Sequence, residues 1–421
     1  MSVRNIFAMI LAAALLPWVG GCSGATKRET VQRALYDYYA GNYEAARQRL
    51  RPLADKPNQD FVLNNVRLGS AALIDYNLDE AEDAFLRAYE VINSLGVNDG
   101  GRTLGAIFVD EKIRIWKGEP FERAMANFYL GLIYYMRQDY NNARAAFENA
   151  LFKLRDYGER DATAEQFKEH ESNFAVASIM LGRCWQRLGR EDLAEANFEF
   201  VRSTRPRLVP LADPERHGRS NLLLVVEFGY GPQKVTDFDG SIVGFAPDPM
   251  HAGRIPQPQV RIDGRPVDVR GISEPPIDLL AMAQDRRWQS LDTWRAVRSG
   301  LGTGLMAGGA IVGLRGAHRG DTSDLVTGAA LLGAGLLMKA TSQADVRQWE
   351  MLPRTVFLLP LEVEPGTHDI TIEFPHAPGL RQTWLNIEVP PRGEATYYFR
   401  MQRWNSGNYE WPPPALATTR E

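Results

Sequence analysis

Three stretches of the chain repeat one spacing of small and large apolar residues. They are Leu68-Gly69…Ala81…Phe85…Ala88, Leu130-Gly131…Tyr134…Ala143…Phe147…Ala150 and Leu181-Gly182…Trp185…Ala194…Phe198…Pro206. Glycine precedes alanine by twelve positions and alanine precedes phenylalanine by four in each. A weaker copy runs Ala34…Gly41-Asn42-Tyr43…Ala46…Leu50. Apolar residues three and four apart define one face of a helix. Each copy therefore predicts two helices joined by a turn, such as Gln138-Asp139-Tyr140 or Leu188-Gly189-Arg190. Gly and Ala let the two backbones approach where the helices cross, and the phenylalanine fills the gap to the neighbouring unit. The copies are not contiguous. Gly69 and Gly131 are 62 residues apart, Gly131 and Gly182 are 51 apart, and the excess falls at about 92–119 and 156–172. The first insert holds a Gly96–Gly101 loop, then Ile107–Trp116, read as a short helix.

These offsets resemble the tetratricopeptide repeat, a helix–turn–helix unit of about 34 residues. The resemblance implies an irregular array of about four units over 28–210, with a groove lined by the first helix of each unit that binds a peptide or a helix. Carried over from the family pattern, groove-facing positions are Tyr38, Phe128, Leu132, Tyr135, Arg183, Gln186 and Arg187. Phe128 and Leu132 read equally as packing between helices. Tyr135, Arg183 and Arg187 are the better groove candidates, because aromatic and Arg side chains dominate interface hot spots.

After Pro206 the pattern becomes β-rich. Leu222–Phe228 is a strand-like run closed by Gly229-Tyr230-Gly231-Pro232. Gln259–Val269 reads as a hairpin turned by Asp263-Gly264, whose positive-φ preference suits a two-residue turn. Ile277–Ser299 looks helical and carries Trp288 and Trp294. Val356–Glu364 with Asp369–Phe374, and Trp384–Val389 with Glu394–Met401, are read as two further hairpins. Residues 354–402 resemble the small PEGA-type surface sandwiches, through the Pro365-Gly366 turn and the Gly393-Glu394…Tyr398 ending.

Between the β-rich stretches lie two apolar arms, Gly300–Leu314 and Leu325–Met338, separated by the polar break 315–324. Gly304/Gly308 and Gly309/Gly313 have the G-x-x-x-G spacing of closely packed membrane helices. Arms of about 14 residues are more often buried or re-entrant than spanning, and Arg315, His318 and Arg319 would be costly to carry through a bilayer. The pattern fits a hairpin buried in protein or at an oligomer contact, or one inserted shallowly in a membrane. Next comes Gln343-Ala344-Asp345-x-Arg347-x-Trp349, then Leu352-Pro353. With the turn Gly229–Lys234, it resembles a signature of an uncharacterised family of repeat-bearing bacterial lipoproteins, which implies architecture and location but no reaction. Asp345, Arg347 and Trp349 are read as structural, with Arg347 bridging the helical and strand parts; a ligand site is the alternative.

The amino terminus explains the first of only two cysteines. Arg4 and the apolar run Ile6–Leu16 make a secretory signal, too short to span a bilayer, which needs ~20 residues. Val19-Gly20-Gly21-Cys22 resembles the bacterial lipobox, which implies cleavage before Cys22 and lipid attachment to it; a plain signal peptide with an incidental cysteine is the alternative. By family analogy Ser23, where Asp would favour the inner membrane, points to the outer membrane and its periplasmic face. The other cysteine, Cys184, sits beside Trp185 in a helical stretch and reads as a small buried hydrophobe.

A net charge of −4 carries no nucleic-acid signature. The six histidines make no metal-binding spacing, and no nucleophile elbow or P-loop occurs. No cofactor is expected. The fold class expected is α+β: an N-terminal α-solenoid of helix pairs (22–212, after a signal peptide over 1–21), then a β-rich sandwich-like domain (213–299 and 344–403) interrupted by the Gly-rich hairpin (300–343), with a flexible tail over 404–421. The expected function is a non-catalytic, lipid-anchored periplasmic scaffold that binds an envelope protein or peptide. Alternatives are an accessory factor of cell-wall synthesis or envelope secretion, a membrane-inserting oligomer built on the Gly-rich hairpin, and an envelope hydrolase.

Overall fold

The structure, a computed structural model, describes residues 28–93, 115–155, 174–236, 242–247, 254–285, 347–375, 380–401 and 407–410. Cys22, the Gly-rich hairpin with Gly304, Gly308, Gly309 and Gly313, Asp345, and the helical readings over 107–114 and 286–299 lie outside these residues.

The repeat spacing folds into four antiparallel helix pairs: α1 (Arg28–Tyr39) with α2 (Tyr43–Ala54), α3 (Phe61–Ile74) with α4 (Leu78–Asn93), α5 (Pro120–Met136) with α6 (Tyr140–Arg155), and α7 (Ala175–Arg187) with α8 (Glu191–Thr204). The repeated glycines have a specific cause. A Cβ on Gly69 would lie 2.7 Å from the Phe85 ring, one on Gly131 2.7 Å from Phe147, and one on Gly182 3.0 Å from Phe198. Each phenylalanine thus seats on the glycine of its own pair. It also meets the next unit, as where Phe85 stacks on Tyr129 with centroids 5.6 Å apart. The residue seven positions after each repeated glycine takes a left-handed backbone: Tyr76 (φ 56°), Gln138 (φ 62°) and Gly189 (φ 71°). Helix α3 is buried along its whole length, so it has protein on every side.

The β-rich half supplies the reason. β1 (Leu222–Phe228) is the centre of a three-stranded mixed sheet, antiparallel to β6 (Thr355–Leu361) and parallel to β9 (Ala395–Met401). β1 and β6 are buried at every position, as their continuous apolar runs require of strands covered on both faces. A second sheet has the order β10 (Gly407–Glu410), β8 (Arg381–Val389), β7 (Gly366–Glu373), β4 (Gln259–Ile262), β5 (Arg265–Val267). A two-stranded ladder joins β2 (Gln233–Thr236) to β3 (Ile242–Ala246). Two short helices, α9 (Pro214–Arg219) and α10 (Leu279–Gln284), and a 3₁₀ turn over Pro206–Leu208 complete the described elements.

The two sheets stack through Phe228–Phe374, Phe357–Phe374 and Trp384–Phe399. The opposite face of the first sheet lies against the helices, where Tyr129 meets Tyr398. The molecule is therefore layered as helical array, three-stranded sheet, five-stranded sheet. The α+β class and the sandwich are as expected from sequence, and the Asp263-Gly264 turn forms the β4–β5 hairpin with both residues left-handed. Two hairpins need correction. β6 and β7 do not pair, nor do β8 and β9; each pair divides between the sheets, and the true hairpin is β7–β8. Strands adjacent in sequence cross from one layer to the other because β6 and β9 each find a more apolar neighbour in β1. The segment read as a flexible tail contains β10, which pairs in parallel with the edge of β8. The helix begun at Ile277 is described only over Leu279–Gln284, started by Asp278, whose carboxylate accepts from the Leu280 and Ala281 amides.

Candidate functional site

The concave face of the array is the natural place to look for a site, and the chain's own β-sheet occupies it. Three clusters of polar side chains hold the two together.

At the centre, Glu227 on β1 accepts hydrogen bonds from Arg400 on β9 (2.5 Å) and from Tyr129 on α5 (2.5 Å). Arg400 also donates to the Gly229 and Leu352 carbonyls, each at 3.1 Å. Arg400 and Glu227 are fully buried. Burial drives the Tyr129 phenol well above its ordinary value, with the Glu227 charge adding to it, so it stays protonated and donating. From the α3–α4 turn, Tyr76 Oη donates to the Tyr398 carbonyl (2.7 Å) and accepts from the Tyr398 amide (2.9 Å).

Toward the carboxyl end of the array, Glu394 accepts from Arg183, from Arg187 (2.7 Å) and from Tyr135 (2.9 Å). Burial acts to raise the Glu394 carboxyl, but Arg183 and Arg187 reverse this and hold it below the usual range. Arg183 also donates to Ser220 Oγ (3.3 Å) and meets Nδ1 of His217. His217 Nε2 donates to the Leu211 carbonyl (2.7 Å), and its ring stacks on Phe198, centroids 4.9 Å apart. Burial, with Arg183 beside it, pushes His217 well below its ordinary value, leaving a neutral ring whose Nδ1 accepts.

At the amino end, the segment 347–353 runs across α1, α3 and α5 like a strap. Arg347 donates to the Gln59 carbonyl (2.7 Å) and to Asp60 (2.9 Å). The Trp349 amide donates to Glu122 (2.7 Å) and its indole to Ser70 Oγ (3.1 Å). Glu350 accepts from Arg67 Nη2 and Nε (2.6 and 2.9 Å), and its carbonyl accepts from Tyr39 (2.6 Å). Burial raises Glu122 to about 7. The two sequence signatures, far apart along the chain, meet here. The Gly231 amide donates to the Leu352 carbonyl (2.8 Å), and a Cβ on Gly231 would lie 2.9 Å from that oxygen. Lys234 donates to the Arg347 carbonyl (2.8 Å) and pairs with Glu119 (3.1 Å).

The groove residues read from sequence can now be placed. Tyr38, Phe128, Leu132, Tyr135 and Arg183 are fully buried. Phe128 packs on Phe147 and Phe174. Gln186 donates to the Pro214 carbonyl (2.9 Å), and Arg187 to Glu394 and the Ser220 carbonyl. The contacts of Tyr135, Arg183, Gln186 and Arg187 are therefore to the chain's own second half, where an external partner was expected. The physical reason is that the buried sheet face presents Glu227, and Glu394 just before β9, as acceptors for Tyr129, Tyr135, Arg183 and Arg187 of the array. Glu227 and Arg400 were not singled out in the sequence, and Glu394 was read only as part of a strand ending; a lone charge inside an apolar strand, as in Leu222–Phe228, was the available signal. Cys184 is buried, and burial raises its thiol, as suits a packing residue. Among the described residues no three His, Cys, Asp or Glu side chains are grouped to hold a metal, and no helix is long and apolar enough to cross a membrane.

No protein-family model matches the chain, and no curated protein matches it. Among solved structures the chain is similar to the crystal structure of MamA, with 15% identity and a TM-score of 0.29 over 42% of this chain and 81% of that chain. At that distance the likeness carries no argument about function.

Proposed function

We propose that the protein is a non-catalytic interaction scaffold of the bacterial envelope, tied by a lipid on Cys22 to the outer membrane and facing the periplasm. The observation that supports this reading best is the closed concave face. Buried ion pairs fix the array on its own sheet, so the molecule presents a rigid surface built from the outer helices and the second sheet. Rigid surfaces bind with less entropy loss than flexible ones. An envelope protein would then dock on outward positions such as those near Tyr36, Phe152 and Phe200, which are 74%, 49% and 38% exposed.

Photo-crosslinking amino acids placed at Tyr36, Phe152 and Phe200 in the full-length protein in cells test this, with Tyr135 and Arg187 as the groove positions. Capture of one envelope protein from an outward position, and none from the groove, is expected. Capture from the groove alone would overturn the closed-face reading. Labelled palmitate should enter the wild type and not Cys22→Ser; equal labelling would remove the anchor.

A further inference from the structure

Beyond the array, the described chain holds a cleft that neither the fold nor the scaffold reading uses. It opens where α8 ends in the 3₁₀ turn Pro206–Leu208, against the extended segment 254–258 and the start of β6. Its volume is about 520 Å³, and Arg205, Arg207, Arg254 and Arg354 line it with Glu274 and Asp278. Among the described residues, four arginines and two carboxylates thus line it. The carboxylates are largely committed. Asp278 is held by Arg354 through Nε (2.8 Å) and Nη2 (2.9 Å) and also caps α10. Glu274 lies 3.9 Å from Arg207. The Arg354 side chain is 9% exposed, and its third nitrogen, Nη1, is buried with no hydrogen-bond partner among the described residues. Burial pulls the Arg205 guanidinium below its ordinary value, with Glu274 partly offsetting this.

We propose that this cleft binds a phosphate-bearing anion. A single guanidinium fork satisfies a planar carboxylate, whereas a phosphate offers oxygens to several forks at once. Here the arginines come from three separate segments around one cleft, an arrangement that suits a ligand of the second kind. Arg354, held by Asp278, fixes a positive charge at the inner end of the cleft, and Arg205 and Arg254 reach the ligand from the two walls. The phosphate could belong to a soluble molecule or to a phospholipid headgroup.

The test uses the full chain carrying Cys22→Ser, so that an attached lipid does not confound vesicle binding, at fixed ionic strength. Calorimetry with pyrophosphate and with inorganic phosphate is one arm. Cosedimentation with vesicles of phosphatidylglycerol in phosphatidylcholine, against phosphatidylcholine alone, is the other. Saturable binding in either arm that falls tenfold or more in both Arg205→Ala and Arg254→Ala, and is unchanged in Arg219→Ala, is expected. Arg219 is exposed and does not line the cleft, and Arg205 and Arg254 are not fully buried, so none of these variants depends on the buried Arg354. Pyrophosphate binding without vesicle binding identifies a soluble ligand; vesicle binding alone identifies a headgroup. No binding in either arm, or binding indifferent to Arg205 and Arg254, overturns the proposal.

Discussion

At the scale of single residues, the interface depends on side chains that lose their purpose if one partner goes. Glu227 and Arg400 are a fully buried pair, and removing one member of such a pair costs about 3–5 kcal/mol because the other charge is stranded. Glu227→Gln should therefore lower the urea midpoint steeply. Adding Arg400→Met should recover part of that loss, since replacing both members by groups of similar volume is often near neutral. The repeated glycine is equally specific. Gly131→Ala drives a methyl into the Phe147 ring and should cost about 1–3 kcal/mol, as overpacking does. Phe147→Leu in the same chain should relieve part of it, and a thermal melt of the single and double variants decides this.

Protonation adds a residue-scale effect with a defined sign. His217 is held well below 6.5 in the folded protein, while the unfolded chain takes up a proton near 6.5. Below that pH the unfolded state binds more protons, so the contribution is present above it and lost as the pH falls. Glu122 runs the other way. Its folded value is about 7 against an ordinary 4.5, so its contribution is present at low pH and lost as the pH rises through 7. Urea midpoints at pH 5.5, 6.5 and 7.5 should show a shallower acid loss in His217→Gln and a steeper one in Glu122→Gln. Identical slopes in the wild type and both variants would contradict the assignment.

At the scale of elements, the strap 347–353 joins the array to the sheets. Trp349 is buried against Phe85 and Tyr129 as well as bonded to Ser70. Trp349→Ala should cost about 3–5 kcal/mol, and hydrogen exchange should speed in α3 and α5 more than in β7–β8, which belong to the second sheet. The α3–α4 turn shows the same dependence in smaller form. Tyr76 accepts a left-handed backbone and reaches Tyr398 on β9 with its hydroxyl. Motif offsets were enough to locate the helix pairs. They gave no hint that Tyr76, rather than glycine, holds the α3–α4 turn, because its partner Tyr398 is 322 residues away.

At the scale of the molecule, the array and the sandwich are halves of one core. Unfolding should be a single transition, with far-ultraviolet circular dichroism and tryptophan fluorescence changing together. Residues 28–212 expressed alone should be poorly soluble, since they would expose the apolar concave face and strip Arg183 of Glu394 and Glu122 of the Trp349 amide. A well-behaved isolated array would show that the concave surface is complete without the sheet.

The helix pairs, the strand Leu222–Phe228 and the β4–β5 turn are local consequences of spacing and turn chemistry, and the sequence by itself determined them; the seating of each phenylalanine on the glycine of its own pair emerged from the structure. The division of β6, β7, β8 and β9 between two sheets was decided only by the tertiary structure. So were the meeting of the two distant signatures at Gly231 and Leu352, and the closing of the groove over Tyr135, Arg183 and Arg187. Local patterns state which side chains must leave water. They do not state which buried surface each will meet, because that choice depends on long-range pairing of charge and shape between segments that share no sequence period.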